Sequence, residues 1–247
     1  MRRKEGDQQG AFGKGKRRLR TGTQVSFADR LLRRRDGSVR KKPGRKRAKH
    51  AKLLHRARLE HDEHHPMHVT MRGAGGLPSF RSQKLQQAFD TAFRTTERAD
   101  FRIVEFSVQS NHVHLIVEAD TKEAIANGIK SFAVRANRLV NAALKKSGFR
   151  STGRGKVWGD RYHRRDLTSP RAVRNALVYC LNNVRKHGGD HVRIDPCSSA
   201  PWFDGWTVPA REAEDSRPTA KPIQPLLLYL WKRGGRIHPN ETPKAAD

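Results

Sequence analysis

The chain has 247 residues, enough for one domain of ordinary size with appendages or for two small domains. Lysine and arginine number 52 against 24 aspartates and glutamates, so the net charge of +28 predicts a polyanionic partner, with nucleic acid favoured over an anionic membrane. No apolar run approaches the roughly 20 residues needed to cross a bilayer. No apolar stretch follows the basic start, so we expect a cytoplasmic protein with no membrane partner.

The first 62 residues form a basic segment with few large apolar side chains. Such a segment cannot bury enough surface to offset its ordering entropy, so we predict a mostly disordered arm with a short helix near residues 51–60. Residues 42–47 resemble a degenerate AT-hook, an extended basic segment that can lie in a narrow minor groove. A generic phosphate-binding charge run is the simpler interpretation of the same residues.

Residues 63–190 have the hydrophobic pattern of one domain with the element order β-α-β-β-α-β-α. The predicted strands are residues 67–71, 101–108, 111–118 and 157–166. The first helix is predicted over residues 82–96, and the second follows a capping pair, Asp120 and Glu123. The third helix begins with Ser169 as its N-cap and ends before Gly188. This order predicts an α+β fold of the ferredoxin-like or RRM-like type, with an antiparallel sheet and an added C-terminal helix.

The third strand contains two histidines at alternate positions, His112 and His114. Alternation along a strand puts both imidazoles on one face, roughly 7 Å apart. Two imidazoles at this spacing can hold one divalent metal and leave positions open for phosphate oxygens and a third ligand. The opposite face is aliphatic, so we expect it to pack on the first two helices while the histidine face stays open. Half-exposed polar histidines are the alternative interpretation.

Tyr179 is the candidate nucleophile. Of the chain's three tyrosines, Tyr162 lies on a predicted strand and Tyr229 in an apolar C-terminal run. Only Tyr179 lies on a predicted helix with a metal-capable amide, Asn183, one turn later. Both are expected at the border of the buried stripe, where the phenol can reach a metal site. A tyrosine that merely packs over the edge of the core is the alternative.

Three motifs occur in order, Asn-His-Val-His at 111–114, Val-Trp-Gly-Asp-Arg-Tyr at 157–162 and Tyr179-x-x-x-Asn183. Together they resemble the single-tyrosine HUH transposases, and in particular the REP-associated tyrosine transposases of bacteria, over about residues 65–190. The chain departs from the family pattern at Gln109-Ser110, where many members have Met-Pro, and at Val184, where many have Pro. The first departure touches a hairpin turn and the second the length of the last helix, so neither removes a catalytic atom.

The resemblance implies a DNA transposase that cleaves and rejoins single-stranded or hairpin-containing DNA, associated with the bacterial nucleoid. The scissile phosphate would be bound to Mg²⁺ or Mn²⁺ on His112, His114 and the side-chain oxygen of Asn183. Tyr179 would attack it to give a 5′-phosphotyrosine and a free 3′-hydroxyl. That hydroxyl, or one from another strand, would later attack the covalent intermediate, so joining needs no external energy source.

Further basic side chains of the domain are predicted to form the DNA path, where each phosphate contact adds salt-sensitive affinity. They are Lys130, Arg135, Arg138, Arg154, Lys156, Arg161, Arg164 and Arg165. Trp158 and Tyr162 can stack on bases, and positions in the core are an equal alternative.

Glu118 shares the histidine face, where a solvated carboxylate is the simplest interpretation. Four histidines between residues 61 and 68 have no regular face, so a polar linker is favoured over a second metal site.

Residues 191–247 lose the periodicity and form an accessory tail. Two runs in it, residues 198–206 and 226–231, are apolar enough to pack onto the core, and the sequence leaves open whether the tail covers the core or touches DNA. Two other classes of function remain open. One is a non-catalytic nucleic-acid-binding module, and the other is a metal-dependent nuclease that uses water in place of the tyrosine. A monomer and a homodimer are equally compatible with the sequence.

Overall fold

The computed structural model describes residues 60–96, 98–186, 194–208 and 216–242. All but the last three residues of the predicted basic arm, including its AT-hook-like run, therefore lie outside the described residues. The strands are β1 (Met67–Arg72), β2 (Phe101–Val108), β3 (His112–Ala119) and β4 (His163–Asp166). The helices are α1 (Gln83–Arg94), α2 (Lys122–Lys146), α3 (Pro170–Leu181), α4 (Asn183–Lys186) and α5 (Pro225–Leu228), with 3₁₀ turns at Ala200–Trp202 and Leu230–Gly234.

The four strands form one sheet in the order β2-β3-β1-β4, and every neighbouring pair is antiparallel. This order, with one helix after β1 and another after β3, is that of the split β-α-β pattern. The predicted α+β, ferredoxin-like fold is therefore confirmed. Within the described residues, no helix has the length and apolarity that a bilayer crossing requires.

One face of the sheet packs against α1 and α2, as the alternation in β3 predicts. Val113, Leu115 and Val117 are fully buried in this core, which also contains Phe89 of α1 and Phe132 of α2. Trp158 packs against the same core, and its Nε1 donates a hydrogen bond to the Ala133 carbonyl at 3.0 Å. Of the two alternatives for Trp158, the core position is the one observed.

The other face of the sheet is not open, and this expectation was wrong. Ile116 of β3 is fully buried in a second core that contains the apolar side of α3. The described C-terminal segments complete this core with Trp206, Leu227 and Trp231. Because these apolar residues are scattered without a helical or strand period, the sequence pattern did not indicate which surface they cover.

Glu118 also differs from expectation, since the C-terminal segment buries it and only 1% of its surface is exposed. The backbone N–H groups of Ile223 and Gln224 each donate to its carboxylate at 3.0 Å, and Arg102 lies 3.5 Å away. Burial raises the pKa of Glu118, while those two hydrogen bonds and the Arg102 charge oppose the rise. The carboxylate therefore fastens the C-terminal segment to β3.

Three element boundaries also depart from the predictions. The fourth strand is limited to His163–Asp166, because Trp158 turns into the core and makes only an isolated bridge with Gly73, so Tyr162 precedes the strand. The N-cap of α2 is Thr121, whose side chain accepts from the Ala124 N–H, in place of the Asp120–Glu123 pair. The third predicted helix is interrupted at residue 182, so α3 ends at Leu181.

Candidate active site

The strand register brings polar side chains into rows on the sheet face that α3 covers. Residues paired across antiparallel strands share a face, and Thr70 of β1 pairs with His114 on one side and His163 on the other. Two residues before Thr70 on β1, His68 pairs with Arg165 of β4. Two residues after Thr70, Arg72 pairs with His112 of β3. Histidines from three different strands therefore lie on the same side of the sheet as Tyr179.

His112 and His114 are on one face, as predicted, and their rings converge. The Nε2 atoms lie 2.9 Å apart, and the ring planes are nearly perpendicular at 86°. His114 is buried, with 3% of its surface exposed, whereas His112 is half-buried. A contact of this length is a hydrogen bond, with the proton on one of the two nitrogens. Once that proton is lost, both nitrogens can direct lone pairs at one cation placed beside them.

The second ring nitrogen of His114 contacts β1. Nδ1 lies 3.1 Å from both His68 Nε2 and Thr70 Oγ1. Burial lowers the pKa of His68 to about 4, and the positive charges of His163 and Arg165 act in the same direction. A neutral His68 can accept a hydrogen bond from His114 Nδ1–H, an arrangement that puts the lone pair of the His114 ring on Nε2, the nitrogen that faces His112.

Tyr179 lies directly against this histidine group. Helix α3 begins as predicted, with the Ser169 side chain accepting a hydrogen bond from the Ala172 N–H and Pro170 in the first turn. The Tyr179 ring centroid is 5.1 Å from that of His114 and 5.7 Å from that of His68, both in edge-on geometry. The tyrosine is half-buried, which agrees with a border position.

Asn183 was expected at the same border, but it is fully buried, with no exposed surface. The chain turns at Asn182, so Asn183 begins α4 and does not continue the helix of Tyr179. Its Oδ1 and Nδ2 find no hydrogen-bond partner among the described residues. A buried amide without a partner is costly, and a metal ligand is one role that explains it.

The chemistry of these donors suits a divalent cation. Among the described residues, no group of three or more His, Cys, Asp or Glu side chains is arranged to hold a metal. A site on His112 and His114 therefore needs a donor of another type. The Asn183 side-chain oxygen is a donor of that type, and oxygen ligands suit Mg²⁺ and Mn²⁺. Within the described part of the chain its side chain makes no hydrogen bond to either histidine.

The predicted DNA-path residues do not form one surface. Lys130, Arg135 and Arg138 line a shallow groove on α2, on the side of the sheet away from Tyr179. Arg165 lines a cavity beside Tyr179 on the other side. The remaining predicted residues, Arg154, Lys156, Arg161 and Arg164, lie in or after the loop that precedes β4.

Several of the predicted DNA-path side chains already have partners within the protein, among them Arg135, which donates to Ser131 Oγ. Arg164 donates to Asp166 at 2.6 Å, and Lys156 Nζ donates to the Gly159 carbonyl at 2.7 Å.

Sequence reasoning missed His68, Thr70 and His163 as members of the site. Alternation within β1 places His68 and Thr70 on one face, but only the strand register shows that this face joins His114.

Comparison with known proteins gives one family. Residues 66–173 match the family described as "Transposase IS200 like". This match confirms the resemblance predicted from the sequence and supports a transposase, which is a DNA-processing enzyme. It ends before Tyr179 and Asn183, so it does not bear on these two residues.

Among solved structures, one described as "Structure of the REP associates tyrosine transposase bound to a REP hairpin" is similar to the chain. It is 15% identical, with a TM-score of 0.49, and the alignment covers 69% of this chain and 99% of that one. A search of characterised proteins finds no match.

Proposed function

We propose that this protein cleaves and rejoins single-stranded DNA by transesterification through Tyr179. The observation that carries the proposal is the packing of the Tyr179 ring 5.1 Å from His114, whose Nε2 lies 2.9 Å from His112 Nε2. A phenol beside two convergent imidazoles is suited to attack a phosphate that is bound next to the imidazoles. The match to IS200-like transposases supports the same class of reaction.

His112 Nε2, His114 Nε2 and Asn183 Oδ1 are the proposed ligands of Mg²⁺ or Mn²⁺. When bound, the cation supplies charge stabilisation for the oxygens of the scissile phosphate. His68 and Thr70 hold the His114 ring from its opposite side through contacts of 3.1 Å. Because the ring is held at Nδ1, its Nε2 is turned toward His112, the other proposed histidine ligand.

In the proposed step the Tyr179 Oη–phosphorus bond forms as the bond from phosphorus to the 3′ oxygen breaks. The phenolic proton is lost to solvent, and the leaving 3′ oxygen ends as a hydroxyl. The product is a 5′-phosphotyrosine, which keeps the energy of the phosphodiester. Attack by a 3′-hydroxyl reverses the step and rejoins DNA.

The proposed partner is single-stranded or hairpin-containing DNA. The net charge of +28 supports a nucleic-acid partner. Arg165 on one side of the sheet, and Lys130 and Arg138 on the other, are exposed and available for phosphate contacts. The structural neighbour is described as bound to a REP hairpin, which makes such a hairpin the natural first probe.

The test is a search for a covalent protein–DNA adduct. Wild-type protein is incubated with a labelled REP-type hairpin oligonucleotide and Mn²⁺, and adducts are separated under denaturing conditions. Tyr179→Phe should abolish both cleavage and adduct, because a benzene ring has no nucleophilic oxygen. Tyr229→Phe is the matched control, because Tyr229 is 54% exposed in the C-terminal segment, and it should leave both unchanged.

The two other classes of function give different results in this experiment. A nuclease that activates water would cleave the oligonucleotide without an adduct, and Tyr179→Phe would still cleave it. A non-catalytic binding module would retain DNA in a binding assay but produce neither cleavage nor adduct. An adduct that persists in Tyr179→Phe would show that another residue is the nucleophile.

A further inference from the structure

A cavity of about 320 Å³ lies beside Tyr179, between α3 and the β1–β4 edge of the sheet. It exists because α3 has alanines at positions 172 and 176, two turns and one turn before Tyr179 on the same side of the helix. Larger side chains at those positions would fill the space above β4. The volume is at the lower end of the range of about 300–1,000 Å³ that is typical of small-molecule sites.

The cavity has an apolar part and a polar edge. Leu167 and Ala176 are buried and form the apolar part together with Ala172. The polar edge includes Arg165, which is exposed, and Asn175, whose exposed side-chain amide can both donate and accept hydrogen bonds. This combination suits a flat, largely apolar ring with hydrogen-bonding groups on its edge.

The charges around the cavity favour a ligand with one negative group. Arg174 also lines it, but its guanidinium makes a two-point ion pair with Glu241 at 2.7 and 2.8 Å. That pair is neutral overall. No ion pair of Arg165 is present among the described residues, so its charge is available to a phosphate.

We propose that this cavity binds the nucleoside that directly flanks the scissile phosphate. The base would pack on the alanine side of α3, Asn175 would contact its edge, and Arg165 would contact a neighbouring backbone phosphate. The inference rests on the proposed function, because it identifies the cavity with the substrate of Tyr179. Since Tyr179 itself lines the cavity, a phosphate within reach of its hydroxyl has an adjoining nucleoside within reach of the cavity.

The first experiment measures binding and does not require cleavage. Tyr179→Phe protein, which keeps the aromatic ring, is titrated with hairpin oligonucleotides whose single-stranded flank has one abasic site, moved through every position. One position should lose affinity by roughly ten-fold or more, the effect expected for one stacked or buried base. The other positions should lose much less.

The second experiment connects that position to the cavity. Ala172→Leu fills the space, so it should weaken binding of intact DNA and remove the additional loss caused by the abasic site. Ala142→Leu is the matched control, the same change at an exposed position of α2, and should preserve the full abasic penalty. Asn175→Ala, at an exposed position that is safe for folding, should reduce the preference for one base at that position.

Two results would overturn the proposal. One is an abasic scan with equal losses at all positions, and the other is a position-specific loss that Ala172→Leu leaves intact. Failure of the proposed function is a separate outcome. In that case wild-type protein forms no adduct while the scan and the Ala172→Leu effect remain. If instead adducts form but the scan is flat, the chemistry stands and the cavity is not the nucleoside site.

Discussion

His68 Nε2 lies 3.1 Å from His114 Nδ1, with the two ring planes 31° apart. The contact connects adjacent antiparallel strands, since His68 is in β1 and His114 in β3. Thr70 Oγ1 lies at the same distance from that nitrogen. His114 is therefore held on its Nδ1 side by β1, while its Nε2 faces His112, so the sheet itself orients the proposed ligand.

His68→Leu should lower the affinity for Mn²⁺ by about ten-fold, because removal of a group that orients a metal-binding histidine typically costs 10- to 100-fold. Titration calorimetry measures the affinity directly, without DNA or activity. His64→Leu is the control, since the His64 side chain is 78% exposed, and it should not change the affinity. If both variants bind Mn²⁺ as tightly as wild type, the His68 contact has no role in holding His114.

The two proposed histidine ligands should differ in their effect on stability. His112→Ala should remove metal-dependent cleavage with little change in the free energy of unfolding, because His112 is half-buried at the edge of the site. His114→Ala should also remove cleavage, and should cost about 1–3 kcal/mol because it deletes a buried hydrogen-bonding group. Denaturant titration and cleavage in Mn²⁺ or EDTA measure the two effects. Full cleavage by the double variant, or in EDTA, would exclude a metal-dependent mechanism.

Asn183 should show opposite effects on stability and on metal binding. Its buried amide has no hydrogen-bond partner among the described residues, so Asn183→Leu should stabilise the metal-free protein by about 1 kcal/mol while weakening Mn²⁺ binding. Asn182→Leu is the control, because the Asn182 amide donates to the carbonyls of His238 and Glu241 at 3.2 and 2.9 Å. That variant should be destabilised. A loss of stability in Asn183→Leu as large as that in Asn182→Leu would argue for a purely structural role.

Residues 1–59 are predicted to add DNA affinity without taking part in the chemistry. Their removal keeps Glu60, whose carboxylate lies 2.6 Å from Lys122 Nζ. Cleavage of a short oligonucleotide at saturation should be unchanged, whereas the slope of log K against log salt should become shallower as phosphate contacts are lost. A truncated protein that is unfolded would indicate a supporting role for the arm. Unchanged affinity for long DNA would show that the arm does not bind it.

Glu118 should make stability fall as the pH rises. Burial raises its pKa above the ordinary value of 4.5, so the folded chain holds this proton more tightly than the unfolded chain does. The contribution is fully present below about pH 4.5 and is lost as the pH rises through the raised pKa. Glu118→Gln should make this part of the pH dependence shallower in urea titrations. Glu123→Gln, the same change at an exposed position of α2, should give the same dependence of stability on pH as the wild type.

The sequence by itself determined the elements and their faces, because these depend on local periodicity. The predicted β2 matches the observed strand at both ends, and the N-cap of α3 is the predicted Ser169. The shared face of His112 and His114 follows from alternation alone. The choice of Tyr179 as candidate nucleophile also used local sequence only, since it was the only tyrosine on a predicted helix with a suitable amide nearby.

Only the tertiary structure decided which segments pack on each face of the sheet and of the helices. Contacts between distant segments depend on the strand register and on apolar residues that follow no helical or strand period. The pairing of β1 with β3 brought His68 and Thr70 to His114, which no property of β1 alone indicates. The aperiodic C-terminal segments closed the sheet face expected to be open and buried Glu118. The helix of Tyr179 ends at Leu181, and Asn183 after it is buried. Two alanines of α3 leave a cavity beside Tyr179, whose opposite wall includes Arg165 and Leu167.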